Sequence, residues 1–275
     1  MITRTRFREI DNEIKSLIRK TLDDIRANNF DNYILYIADG DYYNDDFANH
    51  PKFSPYVIDN RIDLYKDDTR INFLTRFMTT FYSFPDGVEE VTDDEYRIYM
   101  ELMVYCHVWE SKPYLRKLYR LAVLSNNEDY EWKVEVPEMS KHDFIRNSIR
   151  QKFTDSSNDL ASVIRKGFHT SLRNAFAHSE FHILKNIIHL DTYKGQSWDI
   201  KEILFDDWSE RFCYSILLCY HLLKESYNDR QNIITLTGTD KFKIKYPSKD
   251  GTSLREVNIL YHTDQNGFSF ERLSV

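Results

Sequence analysis

The sequence predicts a mainly α-helical protein: a helical bundle at 89–230, an N-terminal helical region at 1–88 and a small antiparallel β appendage at 231–275. Three observations carry that expectation. Apolar residues recur at helical spacing through most of the chain. Glycine and proline, which break helices, number only 7 and 6 in 275 residues. From position 231 the apolar period changes to two, the signature of half-buried strands.

In chain order, Phe7, Ile10, Ile14, Leu17, Ile18, Leu22 and Ile25 predict an amphipathic helix over 2–27, ended by "ANNFDN". The stretch 39–56 is an acidic, aromatic loop. It lacks the DxDxDG order and closing Glu of a calcium loop, so no metal site is expected there. Helical spacing resumes over 59–83 and ends at "FPDG". A long helix follows over 92–123, with Thr92 and Glu95 as a capping box and Pro113 as a kink. Its buried face is predicted to be Tyr99, Leu102, Met103, Cys106, Trp109, Leu115, Leu118 and Leu121, with Tyr105 and Tyr114 as further core aromatics. "KHDFIRNSIRQKF" gives a short helix. Leu160, Ile164, Phe168, Leu172 and Phe176, at steps of four, give a longer one reaching His178. "FHI" and "IIHL" suggest a hairpin, after which Asp206 or Asp207 caps a final helix to about 228. "NIITLTG", "FKIKY", "REVNILYH" and "GFSFERL" read as strands of the appendage.

Composition narrows the function. The formal charge is −7, so any contact with nucleic acid must rest on a local cationic patch. Cys106, Cys213 and Cys219 have neither CxxC spacing nor paired histidines and read as reduced core residues of a cytoplasmic protein. The chain opens with a charged, periodic segment, and its longest apolar run, 214–223, is too short to cross a bilayer, so no membrane contact is expected. No P-loop or GxGxxG is present.

The stretch with chemistry in it is 171–181, "SLRNAFAHSEF". On a helix Asn174 and His178 share a face, with Leu172 and Phe176 roughly opposite. Arg173 lies five residues from His178, about 140° round, so a helix end, a long Arg stem or a second subunit must bring them together. The set suits phosphate. A guanidinium offers a permanent charge and a planar fork of donors, and an imidazole exchanges a proton near neutral pH. A structural network between helices is the competing reading of the same residues. Arg255 and His262 have a similar gap, but in a predicted strand.

"SLRNAFAHSEFHI" resembles the R-x4-6-H signature of HEPN domains, including the polar residue directly after the Arg. The resemblance extends over roughly 92–228 through the succession of helices, hairpin and closing helix, and makes the predicted bundle HEPN-like. It implies a metal-independent endoribonuclease without cofactor, acting as a homodimer that brings two motifs into one cleft. The setting it implies is a bacterial defence or toxin system with an antitoxin or sensor partner. On that resemblance Arg173 and His178 are catalytic, Asn174 supports them, and Glu110 is the candidate acidic residue of the first bundle helix. Its alternative is an ion pair with Lys112, Arg116 or another helix. A non-catalytic HEPN-like module that binds RNA or a nucleotide, or that dimerises, remains the second reading. Between 141 and 182, seven Lys or Arg stand against four acids. The candidate RNA contacts are Lys141, Arg146, Arg150, Arg165, Lys166, His169 and His182, with a solvated helix face as the alternative.

Overall fold

The computed structural model describes residues 1–43, 50, 54–58, 61–92 and 94–271, and helices dominate it. Its axis is α9 (Phe205–Gln231), buried on nearly every side through Trp208, Phe212, Ile216, Leu217 and Leu222. A helix buried on nearly every side through its middle sits inside a bundle. Against it pack α1 (Arg4–Asn28), α3 (Arg61–Phe81), α4 (Glu95–Glu110) and α7 (Leu160–Gly167).

The N-terminal reading holds for α1. Thr3 caps it by accepting from the Arg6 amide at 3.1 Å, and Ile10, Ile14, Ile18, Leu22 and Ile25 form its buried stripe. Phe7 and Leu17 lie at the stripe's edges, partly buried. "ANNFDN" does not lead into a loop, however. Asn29 closes α1 and caps a second helix, α2 (Phe30–Ile37), accepting from the Asn32 amide at 3.0 Å. Residues 32–37 are all buried, so α2 has no polar face to betray it in the sequence. Within the 39–56 loop a short ribbon, β1 (Asp41–Tyr42) with β2 (Tyr56–Val57), is antiparallel; residues 44–49 and 51–53 of that loop lie outside the described residues. So do 59 and 60 of the helix predicted over 59–83.

The long helix predicted over 92–123 is two helices. Pro113 does not kink it but stands in the first turn of α5 (Lys112–Ser125), where a missing N–H costs nothing. The cap is Asp94, accepting from the Tyr96 amide at 2.9 Å, in place of Thr92. The buried face is also turned. Ile98, Leu102, Tyr105, Val108 and Trp109 face the core, whereas Tyr99 and Met103 are 45% and 59% exposed and Cys106 is partly buried. The large rings of Tyr105 and Trp109, together with Trp208 and Phe168, set that phase.

A helical segment at 141–155 (α6) has a π-helical middle, Phe144–Arg150. The i+4 ladder from Leu160 to Phe176 is fully buried, but its helix breaks into α7 and α8 (Thr170–Ala177). The hairpin of β3 (Phe181–Leu184) and β4 (Ile187–Leu190) gains a third strand, β5 (Glu202–Leu204), antiparallel to β4. Asp206 and Asp207 sit inside the first turn of α9 rather than capping it, and Asp206 pairs with the Met1 ammonium. "NIITLTG" is helix α10 (Ile233–Thr237), not a strand. The other three runs form the antiparallel sheet β6 (Lys241–Pro247), β7 (Leu254–His262) and β8 (Gly267–Phe270); residues 272 and 273 of the last run lie outside the described residues. Phe242, Ile244 and Tyr246 turn inward at period two, and β6 packs against α2. Among the described residues no helix is long and apolar enough to cross a membrane.

The break between α7 and α8 depends on glycine. A Cβ on Gly167 would stand 2.9 Å from Ser215 Oγ and 3.2 Å from Ser215 N on α9. Gly167→Ala should therefore lower the unfolding free energy by about 1–3 kcal/mol in chemical denaturation. Adding Ser215→Ala should recover only part of the loss, because the backbone nitrogen remains.

Candidate functional site

Phe168 and His169 take extended backbone, with ψ of 135° and 131°, and α8 starts afresh. Tyr105 Oη, reaching across from α4, accepts the His169 amide at 2.9 Å and lies 3.4 Å from the Gly167 carbonyl. His169 caps α8: its Nδ1 accepts from the Ser171 amide at 3.2 Å. At the far end the Glu180 amide donates to the Ala175 carbonyl at 2.8 Å and the Ser179 amide to Phe176 at 3.3 Å, with Ser179 left-handed at φ 56°. This Schellman arrangement stops the helix at His178. The His178 imidazole is exposed and makes no hydrogen bond, ion pair or ring contact among the described residues.

One turn back, the chain is densely bonded. Arg173 Nη1 donates to Asn174 Oδ1 at 2.7 Å, and its other terminal nitrogen forms an ion pair with Glu110. The second Glu110 oxygen takes Lys141 Nζ at 3.0 Å. The Asn174 carbonyl in turn accepts the His178 amide at 3.1 Å. Glu110, Lys141, Arg173 and Asn174 thus form one network from α4, α6 and α8, to which His178 is joined through its backbone amide. Of the partners weighed for Glu110, Lys112 is engaged by Glu138 and Arg116 by Asp41; the ion pair runs to another helix, at Arg173. The Arg173 side chain is 14% exposed, with both terminal nitrogens engaged by Glu110 and Asn174.

The remaining candidates fall into two groups. Lys141 is buried against Glu110, and Lys166 is held by Glu13 and the Tyr214 hydroxyl, both at 3.0 Å. His182 lies on β3, paired with Asp191 at 3.0 Å and stacked on His189. The guanidiniums of Arg146, Arg150 and Arg165, by contrast, make no hydrogen bond or ion pair among the described residues. They lie close enough together that burial, then the charges of Arg146 and Arg165, depress the Arg150 pKa. Arg211 of α9, which no local pattern in the sequence marks, joins them: its Nη1 lies 3.4 Å from the Arg165 carbonyl and 3.5 Å from that of Phe168. Because the helix breaks, Arg165 and His169 are not related by helical spacing. His169 instead feels Arg211 and Arg146. Burial first, then Arg211, pushes its pKa down to about 4, against the smaller opposing pull of Asp199. Arg255 and His262 both lie on β7, remote in the chain from this cluster, with His262 bonded to Ser269 at 2.7 Å.

Among the described residues no three His, Cys, Asp or Glu side chains converge as a metal site. Comparison with protein-family models, with curated proteins and with solved structures finds no match.

The His169 shift fixes a pH dependence. An unfolded histidine titrates near 6.5, so between about pH 6.5 and 4 the unfolded chain binds a proton that the native chain refuses. Stability should therefore fall through that window as the pH drops. His169→Asn keeps an N-cap acceptor but removes the titration. Its melting temperature should decline less steeply than that of the wild type over the same range.

Proposed function

We propose that the chain is a metal-independent endoribonuclease built on a HEPN-like bundle, with Arg173 and His178 as its catalytic pair. The observation that carries the reading is the contrast along the last turn of α8: an exposed imidazole without hydrogen bond or ion pair among the described residues at its end, and, five residues earlier, a guanidinium held in place by Glu110 and Asn174. The reaction needs those two things. A ribose 2′-oxygen attacks the adjacent phosphorus, the P–O5′ bond breaks, and a 2′,3′-cyclic phosphate and a 5′-hydroxyl result. One proton leaves the 2′-hydroxyl and one reaches the departing O5′; an imidazole serves either transfer, and the guanidinium offsets charge on the pentacoordinate phosphorus. Asn174 and Glu110 act by orienting Arg173.

The arginines at 146, 150, 165 and 211 support the same reading. In a chain of net charge −7 they form a local cationic patch of the kind an RNA backbone would need. A homodimer would bring two motifs into one cleft. Exposed Tyr96, Tyr99 and Met103, on the helix that carries Glu110, supply an uncharged face for that contact. A cytoplasmic defence or toxin role, with an antitoxin or sensor partner, follows by analogy with HEPN proteins. The second reading, a HEPN-like module that binds RNA or dimerises without cleaving, is favoured by one observation: Glu110 already neutralises Arg173.

The purified chain should cut labelled single-stranded RNA in the presence of EDTA and leave cyclic-phosphate ends. His178→Ala should reduce the rate by about 10²-fold or more, with an unchanged melting temperature. Arg173→Ala should also abolish cleavage. RNA binding without cleavage by the wild type would select the second reading, and loss of folding in either variant would return both residues to a structural network.

A further inference from the structure

We infer that Trp198, on the loop between β4 and β5, is a stacking platform for an unpaired base of the RNA. The inference rests on the ribonuclease reading and adds a binding residue to its site. Of the four tryptophans, Trp109, Trp132 and Trp208 are buried, whereas Trp198 is 59% exposed. Its indole makes no hydrogen bond or ring contact among the described residues. Tryptophan is highly buried on average and enriched among the residues that dominate binding. A lone surface ring would still carry little, so its surroundings decide.

Those surroundings are aromatic and basic. On the same loop the Tyr193 ring is 43% exposed, and the exposed ammonium groups of Lys194 and Lys201 make no ion pair or hydrogen bond among the described residues. The two acids of the loop are bonded within the protein. Asp191 pairs with His182 at 3.0 Å, and Asp199 accepts the Ser171 hydroxyl at 2.7 Å and the Lys194 amide at 2.8 Å. The loop is also held in shape: the Lys201 carbonyl accepts the Leu190 amide at 2.9 Å across its base, and the Asp199 amide donates to the Gln196 carbonyl at 3.0 Å.

Asp199 fixes where the loop lies. Its carboxylate holds Ser171, in the first turn of α8 and two residues before Arg173, and His169 Nδ1 accepts the Ser171 amide. Arg211, Asp199 and Arg146 all act on His169, so Trp198, one residue from Asp199, lies close to the cationic cluster. Ser171 and His178 stand at opposite ends of α8, whose eight residues span about 12 Å. A few unpaired nucleotides bridge that distance, with one base at the indole and the scissile linkage near the imidazole. Arginines that grip phosphate do not tell a single strand from a duplex. A ring that stacks a base does, because the base must first be unpaired, and every base has a face to offer. The unpaired lysines of the loop favour a polyanion over an apolar protein surface as the occupant.

The test is fluorescence anisotropy of the full chain with a labelled, 2′-O-methylated single strand of about 12 nucleotides. The methyl group blocks the attacking oxygen, so binding is read whether or not the chain cleaves. Trp198→Ala should weaken this strand about tenfold or more and leave a duplex of the same sequence unaffected. Trp198→Phe, which keeps a ring, should recover most of the loss. The melting temperature should not move in either variant, since the indole holds nothing in place. With the other three tryptophans buried, the single strand should also quench wild-type emission and leave that of Trp198→Phe unchanged. No binding by the wild type, equal affinity of wild type and Trp198→Ala for the single strand, or an equal loss on the duplex would overturn the inference. Cleavage without a Trp198 effect removes the stacking role alone, whereas a Trp198 effect without cleavage removes only the nuclease.

Discussion

The arrangement of the candidate site depends on one interruption, at Gly167 to His169. An uninterrupted helix through this ladder would carry Arg173 on from α7 in fixed phase. Instead Gly167 lies too close to Ser215 for any side chain, and the Tyr105 hydroxyl takes the amide that a continuing helix would have used. The chain therefore restarts at His169, and α8 is oriented by α4 rather than by α7. Glu110 lies on that same α4, five residues beyond Tyr105, so one rigid helix fixes both the start of α8 and the guanidinium near its end. Trp109 between them is sealed against Ser215 by a 3.1 Å bond from its indole nitrogen.

Charge is distributed with the same economy of parts. Around Glu110 each cation has a carboxylate partner, whereas on the neighbouring surface Arg146, Arg150, Arg165 and Arg211 have none among the described residues. The first group is built for precision, since ion pairs with shared hydrogen bonds hold a side chain in one position. In the second, Arg146 and Arg165 repel Arg150 and lower its proton affinity, with burial as the larger cause. His169 marks the border between them. Kept neutral by burial and by Arg211, it serves the helix as an acceptor and adds nothing to the positive field.

Much of the fold was legible in the sequence because amphipathic period is a local property. The α1 stripe, the buried ladder from Leu160 to Phe176 and the alternation of β6 could all be read directly. The misreadings share a cause. The α2 helix has no polar face, and α10 has residues of high strand propensity in a single helical turn, so each was decided by packing rather than pattern. The phase of α4 was set by tertiary contacts of Tyr105 and Trp109, which turned Tyr99 and Met103 outward. At the site, the spacing of Asn174 and His178 was visible because it follows from helical geometry, whereas Glu110 was reached only through the HEPN resemblance. Arg211 was not. It lies 38 positions after Arg173 in sequence, and only the packing of α9 on α7 brings it to the others.

Arg211 also has a second occupation. Its guanidinium leans on the carbonyls of Arg165 and Phe168, acceptors left over where α7 ends. The same guanidinium that adds positive charge to this surface therefore also satisfies backbone left open by the helix break, so replacing it would remove a charge and unsatisfy two carbonyls at once.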